Sequence, residues 1–384
     1  MEWVFWVAAV GAVYSYFLYP LVLLALPVRW RPPSAAEGME PASVPTLSII
    51  ITAYNAGALL RTKLDNTLAL DYPAGRREVI VASDASDDDT DEIARAYADR
   101  GVVLVRAPER RGKEHAQWLA VQRARGEVLV FSDVATEIDG GSLRRLAALF
   151  ADASVGAVSS EDRFVTAEGA PVGEGLYVRY EMALRRLEAS RAGLVGLSGS
   201  FFAARAVVCR DWDSDAPSDF NTALNCARLG LRAVSDAAVI GRYRAISDDR
   251  REYQRKYRTV LRGITGLMRH PEVLDPRRNA GFALQVWSHK PMRWGVPWCL
   301  LVALAANVAL VALPAITPLY ALTMALQALF YGCVLLGAVS PGARRRWFWV
   351  RVPYFFCQAN LAIAHASLAY AAGRRMTVWQ PSTR

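Results

Sequence analysis

Val128–Thr136 reads VLVFSDVAT: four consecutive apolar residues, then Ser132 and Asp133 where the run breaks. A short run without polar alternation suits a strand covered on both faces, and a lone carboxylate directly after it sits poorly in a core. The pattern recurs upstream. Leu47–Ile51 leads into Thr52-Ala53-Tyr54-Asn55, Glu78–Ala82 into Ser83-Asp84-Ala85-Ser86, and Val102–Val105 and Val155–Val158 are further apolar runs. Between them lie helical stretches: Ala58–Leu70 ended by Tyr72-Pro73, a segment to about Ala98, His115–Arg123 and Leu143–Phe150. Strands alternating with helices predict an α/β fold, its mostly parallel sheet flanked by helices. Such sheets bind ligands beyond the carboxyl ends of their strands. Asp84 and Asp133 are thereby delivered to one edge. No G-x-G-x-x-G follows the first strand and no P-loop string occurs, which removes dinucleotide and P-loop readings.

The chain has 384 residues, 53% of them hydrophobic, and the apolar excess is concentrated at the two ends. Trp3–Leu26 is almost wholly apolar and long enough to cross a hydrocarbon core of ~30 Å. Glu2 in place of a basic head, followed later by Pro27, Trp30 and Arg31, disfavours a cleaved signal peptide. Val296–Leu313 and Leu319–Val339 are two further apolar runs, parted by Pro314 and Pro318. A third, Val352–Ala372, carries Gln358, Asn360 and His365, which are expected to face protein because lipid offers them no partner. Asn279–Trp294 mixes aromatic and basic residues and reads as an interfacial helix. The boundaries expected are a transmembrane helix at 1–28, a linker at 29–46, a soluble domain at 47–262, an amphipathic interfacial region at 263–295, a membrane region of two to three helices at 296–373 and a tail at 374–384.

Arg29, Arg31 and Arg344–Arg346 place the intervening domain on the cytosolic side by the positive-inside rule. Three spans after that domain would put Arg374 and Arg375 outside, so the last segment is either re-entrant or an exception to the rule. The formal charge of +9 lies largely near membrane boundaries, without a helix-turn-helix, zinc-finger or RNA-binding signature, so no nucleic-acid partner is expected. Five scattered cysteines suggest neither disulfides nor a zinc site.

Taken in order, SIIITAYNAG (Ser48–Gly57), VIVASDASDDDT (Val79–Thr90), RRGKEHAQWLA (Arg110–Ala120), VLVFSDVAT (Val128–Thr136), GLSGSFFAAR (Gly196–Arg205), SDF (Ser218–Phe220) and QRKYR (Gln254–Arg258) resemble the membrane-associated family-2 glycosyltransferases with a GT-A fold, a group that includes bacterial exopolysaccharide, cellulose and hyaluronan synthases. The likeness covers about Leu47–Arg262. It implies inverting transfer of a sugar from a nucleotide-sugar, a UDP-sugar in the first instance, to a polysaccharide or lipid-linked acceptor at the cytosolic face of the cell membrane. It also implies export or polysaccharide-assembly proteins as candidate partners.

Site residues carry over by position. The resemblance implies that Asp84 reads the uracil or ribose side, helped by the backbone of Thr52, Ala53 and Tyr54 and by Lys113. The competing readings are a helix N-cap for Asp84, in a run with Asp87–Asp89, and a surface charge for Lys113. His115 reads as a solvent-facing helix residue. The family's D-x-D-like element maps onto Asp133-Val134-Ala135, where Asp133 would bind Mg2+ or Mn2+ and Ala135 lacks the second carboxylate. Either Asp133 holds the metal with the diphosphate and waters, or Glu137 contributes, or metal dependence is weak. Gly199 and Ser200 map to the wall beside the donor sugar, where a tight turn is the alternative. Glu161 and Asp162 lie near a strand end without a defined role. Asp219 maps to the catalytic base, the alternative being a cap for a helix from about Thr222. In the QxxRW-like string Gln254 is kept while Tyr257 and Arg258 stand in the Arg and Trp places, which weakens a polymerising role. Arg255 and Arg258 remain candidate phosphate ligands, with anionic headgroups as the alternative. A catalytically degenerate membrane scaffold is the rival function, with Ala135 as its support; a transporter would leave the soluble domain unexplained.

Overall fold

The computed structural model describes residues 1–33, 44–165, 176–244, 249–313 and 317–376. Most of the expected linker, the breaker Pro314 and most of the tail lie outside these residues. The strands are β1 (Leu47–Ala53), β2 (Arg77–Ser83), β3 (Val102–Arg106), β4 (Val128–Asp133), β5 (Glu137–Ile138), β6 (Val155–Val165), β7 (Phe201–Arg205) and β8 (Arg232–Arg244). They form one sheet in the order β3-β2-β1-β4-β7-β6-β8-β5.

The first four strands are mutually parallel, with Ala53 opposite Ser83 and Thr52 opposite Asp133. The chain runs outward from β1 to β2 and β3, then returns to add β4 on the other flank of β1. That reversal is a topological switch point, the place where an open α/β sheet binds ligand. β1 is buried along its whole length, as its β-branched run requires for a strand covered on both faces. β7 runs antiparallel to both β4 and β6, and the two-residue β5 runs antiparallel to β8, so the mostly parallel sheet contains a reversed strand at its middle and another at its edge. Helices Gly57–Leu68, Thr90–Ala96, Lys113–Arg123 and Ser142–Phe150 fill the connections where the sequence places them.

By compactness the chain forms two units, one of Met1–Val22, Asp248–Ile264 and Val286–Arg375, the other containing Leu23–Ser247 and Thr265–Gln285. In the second unit, two distant segments fasten to one short stretch. The Arg191 guanidinium donates to Leu23 O at 2.7 Å, and Arg29 and Trp30 N–H donate to Ser190 O. The buried amide of Gln285 accepts from Ala192 N at 2.9 Å and donates to Gly193 O at 2.6 Å.

Among the described residues, three helices are long and apolar enough to cross a membrane: Glu2–Ala25, Pro276–Val311 and Pro318–Val339. Glu2–Ala25 contains a π turn at Tyr14–Leu18. Its Gly11 lies so close to Cys299 that a Cβ would come within 2.8 Å of the sulfur, the small-residue contact typical of packed membrane helices. Phe348–Ala371 is a further long helix: its Asn360 is buried and Nδ2 donates to Phe356 O one turn back, and the His365 ring lies 4.4 Å from that of Tyr257.

Candidate active site

The edge begins with two unusual backbones. Among the described residues, only Asn55 (φ 45°) and Ala85 (φ 54°) are non-glycine with positive φ, and they follow β1 and β2. Strain of this kind persists where surrounding contacts enforce it, and binding edges are a common place for it. Asn55 Oδ1 accepts from Asp87 N at 2.9 Å, and Ala53 O accepts from Asp84 N at 3.0 Å. The Thr52 hydroxyl accepts from the Gln117 amide at 3.1 Å, and the Tyr54 ring lies 3.9 Å under the Arg110 guanidinium.

Asp84 is buried, and both its oxygens are engaged: Oδ1 by the N–H groups of Arg111 and Gly112, Oδ2 by Gly112 at 2.9 Å. It is therefore no helix N-cap. The helix after β2 starts at Thr90, and Asp88 serves that terminus, accepting from Thr90 N at 3.0 Å while its other oxygen accepts from Gly57 N at 2.9 Å. Asp84 instead holds the loop that leads into helix Lys113–Arg123.

That loop delivers Lys113, which is buried rather than a surface charge. Its ammonium donates to Asp133 Oδ1 at 2.5 Å and to Gly199 O at 2.7 Å. Asp133 N donates to Ser200 O at 2.9 Å, which ties the end of β4 to the residue before β7. A Cβ at Gly199 would stand 3.3 Å from Asp219 Oδ2, so the missing side chain is what lets that carboxylate lie against the turn. Asp219 sits in the first turn of helix Ser218–Arg228 and makes no side-chain cap; the helix starts earlier than Thr222, which removes the capping alternative. Asp133, Lys113, Gly199, Ser200 and Asp219 thus form one contiguous cluster.

Lys63 escaped the sequence reading, and Asp162 was left there without a role. Asp162 Oδ1 accepts from the hydroxyls of Ser198 at 2.6 Å, Ser160 at 3.0 Å and Ser200 at 3.3 Å, clamping the turn that holds Gly199. Lys63 is buried beneath the turn after β4, donating to Ser132 Oγ at 2.7 Å and Thr136 O at 2.5 Å. Burial lowers its pKa to about 7, against the pull of the Asp133 and Glu137 carboxylates. The available signal was its spacing: Leu60, Lys63, Leu64 and Thr67 share the buried face of one helix. His115 is buried rather than solvent-facing, beside Trp118, and burial and then Arg111 lower its pKa. Arg255 and Arg258 lie on helix Asp249–Arg269, in the portion belonging to the other compact unit.

The ammonium at Asp133 shows what the site offers a cation: one carboxylate oxygen and one carbonyl oxygen converging, both hard donors. Ala135 adds nothing, and no group of three or more His, Cys, Asp or Glu among the described residues could hold a metal. These residues fit a divalent cation shared with a bound diphosphate, and do not fit one held by protein alone.

The description "Glycosyl transferase family 2" matches residues 48–183. A beta-monoglucosyldiacylglycerol synthase of Trichormus variabilis is 26% identical over 209 residues, 51% of this chain and 44% of that protein. Glycosyltransferase AglD of Haloferax volcanii is 34% identical over 120 residues, 29% of this chain and 18% of that protein. The chain thus spans less than half the length of these relatives. Among solved structures, a mannosyltransferase from Pyrobaculum calidifontis in complex with GDP-Man and Mn2+ superposes with a TM-score of 0.72 at 22% identity, covering 97% of this chain and 99% of that one. The match to the glycosyltransferase family 2 description is thus confined to residues 48–183, and the whole-chain likeness shows a GT-A-like fold.

Proposed function

We propose that the protein is an inverting glycosyltransferase that moves a sugar from a nucleotide-sugar, with UDP-sugars the first donors to try, to a lipid-linked or polysaccharide acceptor at the cytosolic membrane face. The observation that carries this reading is the Asp133–Lys113–Gly199–Asp219 cluster at the switch point of the sheet. The β1 and β2 ends, with Tyr54 and the Asp84-held loop, form the side for base and ribose. Lys113 supplies positive charge where the diphosphate leaves, and Asp219 takes the proton of the attacking acceptor hydroxyl. The Asp162 clamp fixes the turn at Gly199, whose lack of a side chain lets a sugar approach the backbone there. Arg255 and Arg258 are proposed phosphate ligands, since a guanidinium fork suits phosphate oxygens.

A divalent cation, Mg2+ or Mn2+, would be held by Asp133 jointly with the donor and would stabilise the departing diphosphate as a Lewis acid. Manganese in the mannosyltransferase complex supports this choice. A relative named for a glucosylated diacylglycerol supports a lipid acceptor. The apolar helices support an acceptor met at the bilayer, with polysaccharide-assembly or export proteins as further partners.

Ala135 favours one rival, a degenerate scaffold that binds sugar nucleotides without transfer. Purified protein in lipid nanodiscs, supplied with a panel of UDP- and GDP-sugars with and without Mn2+, decides between them. Transfer lost in D133N supports the enzyme; nucleotide binding without hydrolysis or transfer from any donor supports the scaffold.

A further inference from the structure

The sequence shows only that Ala135 fails to supply a second metal-binding carboxylate. The structure shows what occupies the first. Lys113 Nζ sits 2.5 Å from Asp133 Oδ1 and 2.7 Å from Gly199 O, with the Lys113 side chain 8% and the Asp133 side chain 20% exposed. The oxygens that a hard cation would take are therefore already gathered around an ammonium. A second positive charge entering the same pair of oxygens meets like-charge repulsion in a poorly solvated place, where such repulsion is weakly screened. A chain with a full D-x-D pair could offer a cation a carboxylate that no lysine holds; here Ala135 offers none.

We propose that Lys113 and a divalent cation compete for Asp133, so that the cation enters together with a nucleoside diphosphate whose phosphate oxygens draw Lys113 away. Lys113 is then a gate on metal binding as well as a phosphate ligand. The order of entry follows: diphosphate and cation arrive as a pair, and free cation is excluded from the resting site. This rests on the reading of the edge as a nucleotide-sugar site, and the two fail in different ways.

The test titrates Mn2+ alone into the full-length protein in detergent, following free Mn2+ by electron paramagnetic resonance, and repeats the titration with UDP and with GDP. Wild type is expected to bind Mn2+ at least tenfold more weakly alone than with the nucleotide it accepts. K113M is expected to bind Mn2+ alone at least tenfold more tightly than wild type, and K113R, which keeps the charge, to stay close to wild type. The gain should vanish in the K113M/D133N double variant. Equal Mn2+ affinity in wild type and K113M, or a gain that survives D133N, overturns the proposal. Should K113M fail to melt cooperatively, K113Q takes its place under the same criteria. A gain in K113M with no response to either nucleotide keeps the competition and sinks the nucleotide-sugar reading instead.

Discussion

Asp219 presses against bare backbone at Gly199, and its side chain caps nothing, so its replacement separates chemistry from architecture. D219N keeps size and shape while removing the proton acceptor. Transfer is expected to fall by roughly 10²–10⁴-fold, the usual scale for general-base catalysis, mainly in kcat, with donor affinity little changed. Loss of an acidic group from a first helical turn costs about 0.3–1 kcal/mol, so the melting temperature should shift only slightly. Normal transfer by folded D219N ends the assignment. Lys63 makes a second prediction, through pH. Its folded pKa of about 7 lies below the 10.5 of a free lysine, so between these values the unfolded chain holds a proton that the native state has lost. Its contribution to stability therefore rises with pH across that window, and the full cost of burying the ammonium is present below pH 7. Melting temperatures of wild type and K63M measured from pH 6 to 10 should show the rise in wild type only; parallel profiles would remove Lys63 as its source. Positions such as Asp84 and Asp133 were legible because an apolar run ending in a carboxylate marks a strand end by itself. The roles of Lys63 and Asp162 were not, because Ser132 and Thr136 for the one and Ser198 and Ser200 for the other lie tens of residues away and only the folded turn brings them near.

At the level of elements, the βα units could be read because each strand and helix carries its own period, and their observed limits fall within a few residues of those expected, except that β6 runs past Val158 to Val165. The direction of β7 could not be read, since Phe201–Arg205 is as apolar as a parallel strand and polarity along the chain leaves no periodic mark. The acidic run after β2 was ambiguous for another reason: Asp84 and Asp87–Asp89 are chemically alike, and only hydrogen bonding sorts loop holder from cap. Asp88 joins the starts of two helices, Gly57–Leu68 and Thr90–Ala96, with one carboxylate. D88A should cost about 0.5–2 kcal/mol, the range for a lost cap, with D88N intermediate because one acceptor oxygen survives. Chemical denaturation of both variants measures this, and an unchanged midpoint in D88A refutes the staple.

On the scale of the molecule, three helices of spanning length and the arginines at 29, 31 and 344–346 predict an integral membrane protein whose catalytic domain faces the cytosol. Carbonate extraction should leave it in the pellet, and protease added to sealed cells should spare residues 47–262 while inverted vesicles expose them. Release by carbonate, or cleavage of the domain from outside intact cells, would overturn the topology. The fastening at 188–193 has a consequence for synthesis on the ribosome. Leu23 and Trp30 emerge early but must wait for Ser190 and Arg191, and the same stretch stays half made until Gln285 follows. Almost directly behind Gln285 comes the apolar helix Pro291–Val311. Sealing of the domain and emergence of the next hydrophobic segment therefore fall due within about the same few seconds of elongation, and a nascent chain stalled before Gln285 would present an open seam to chaperones.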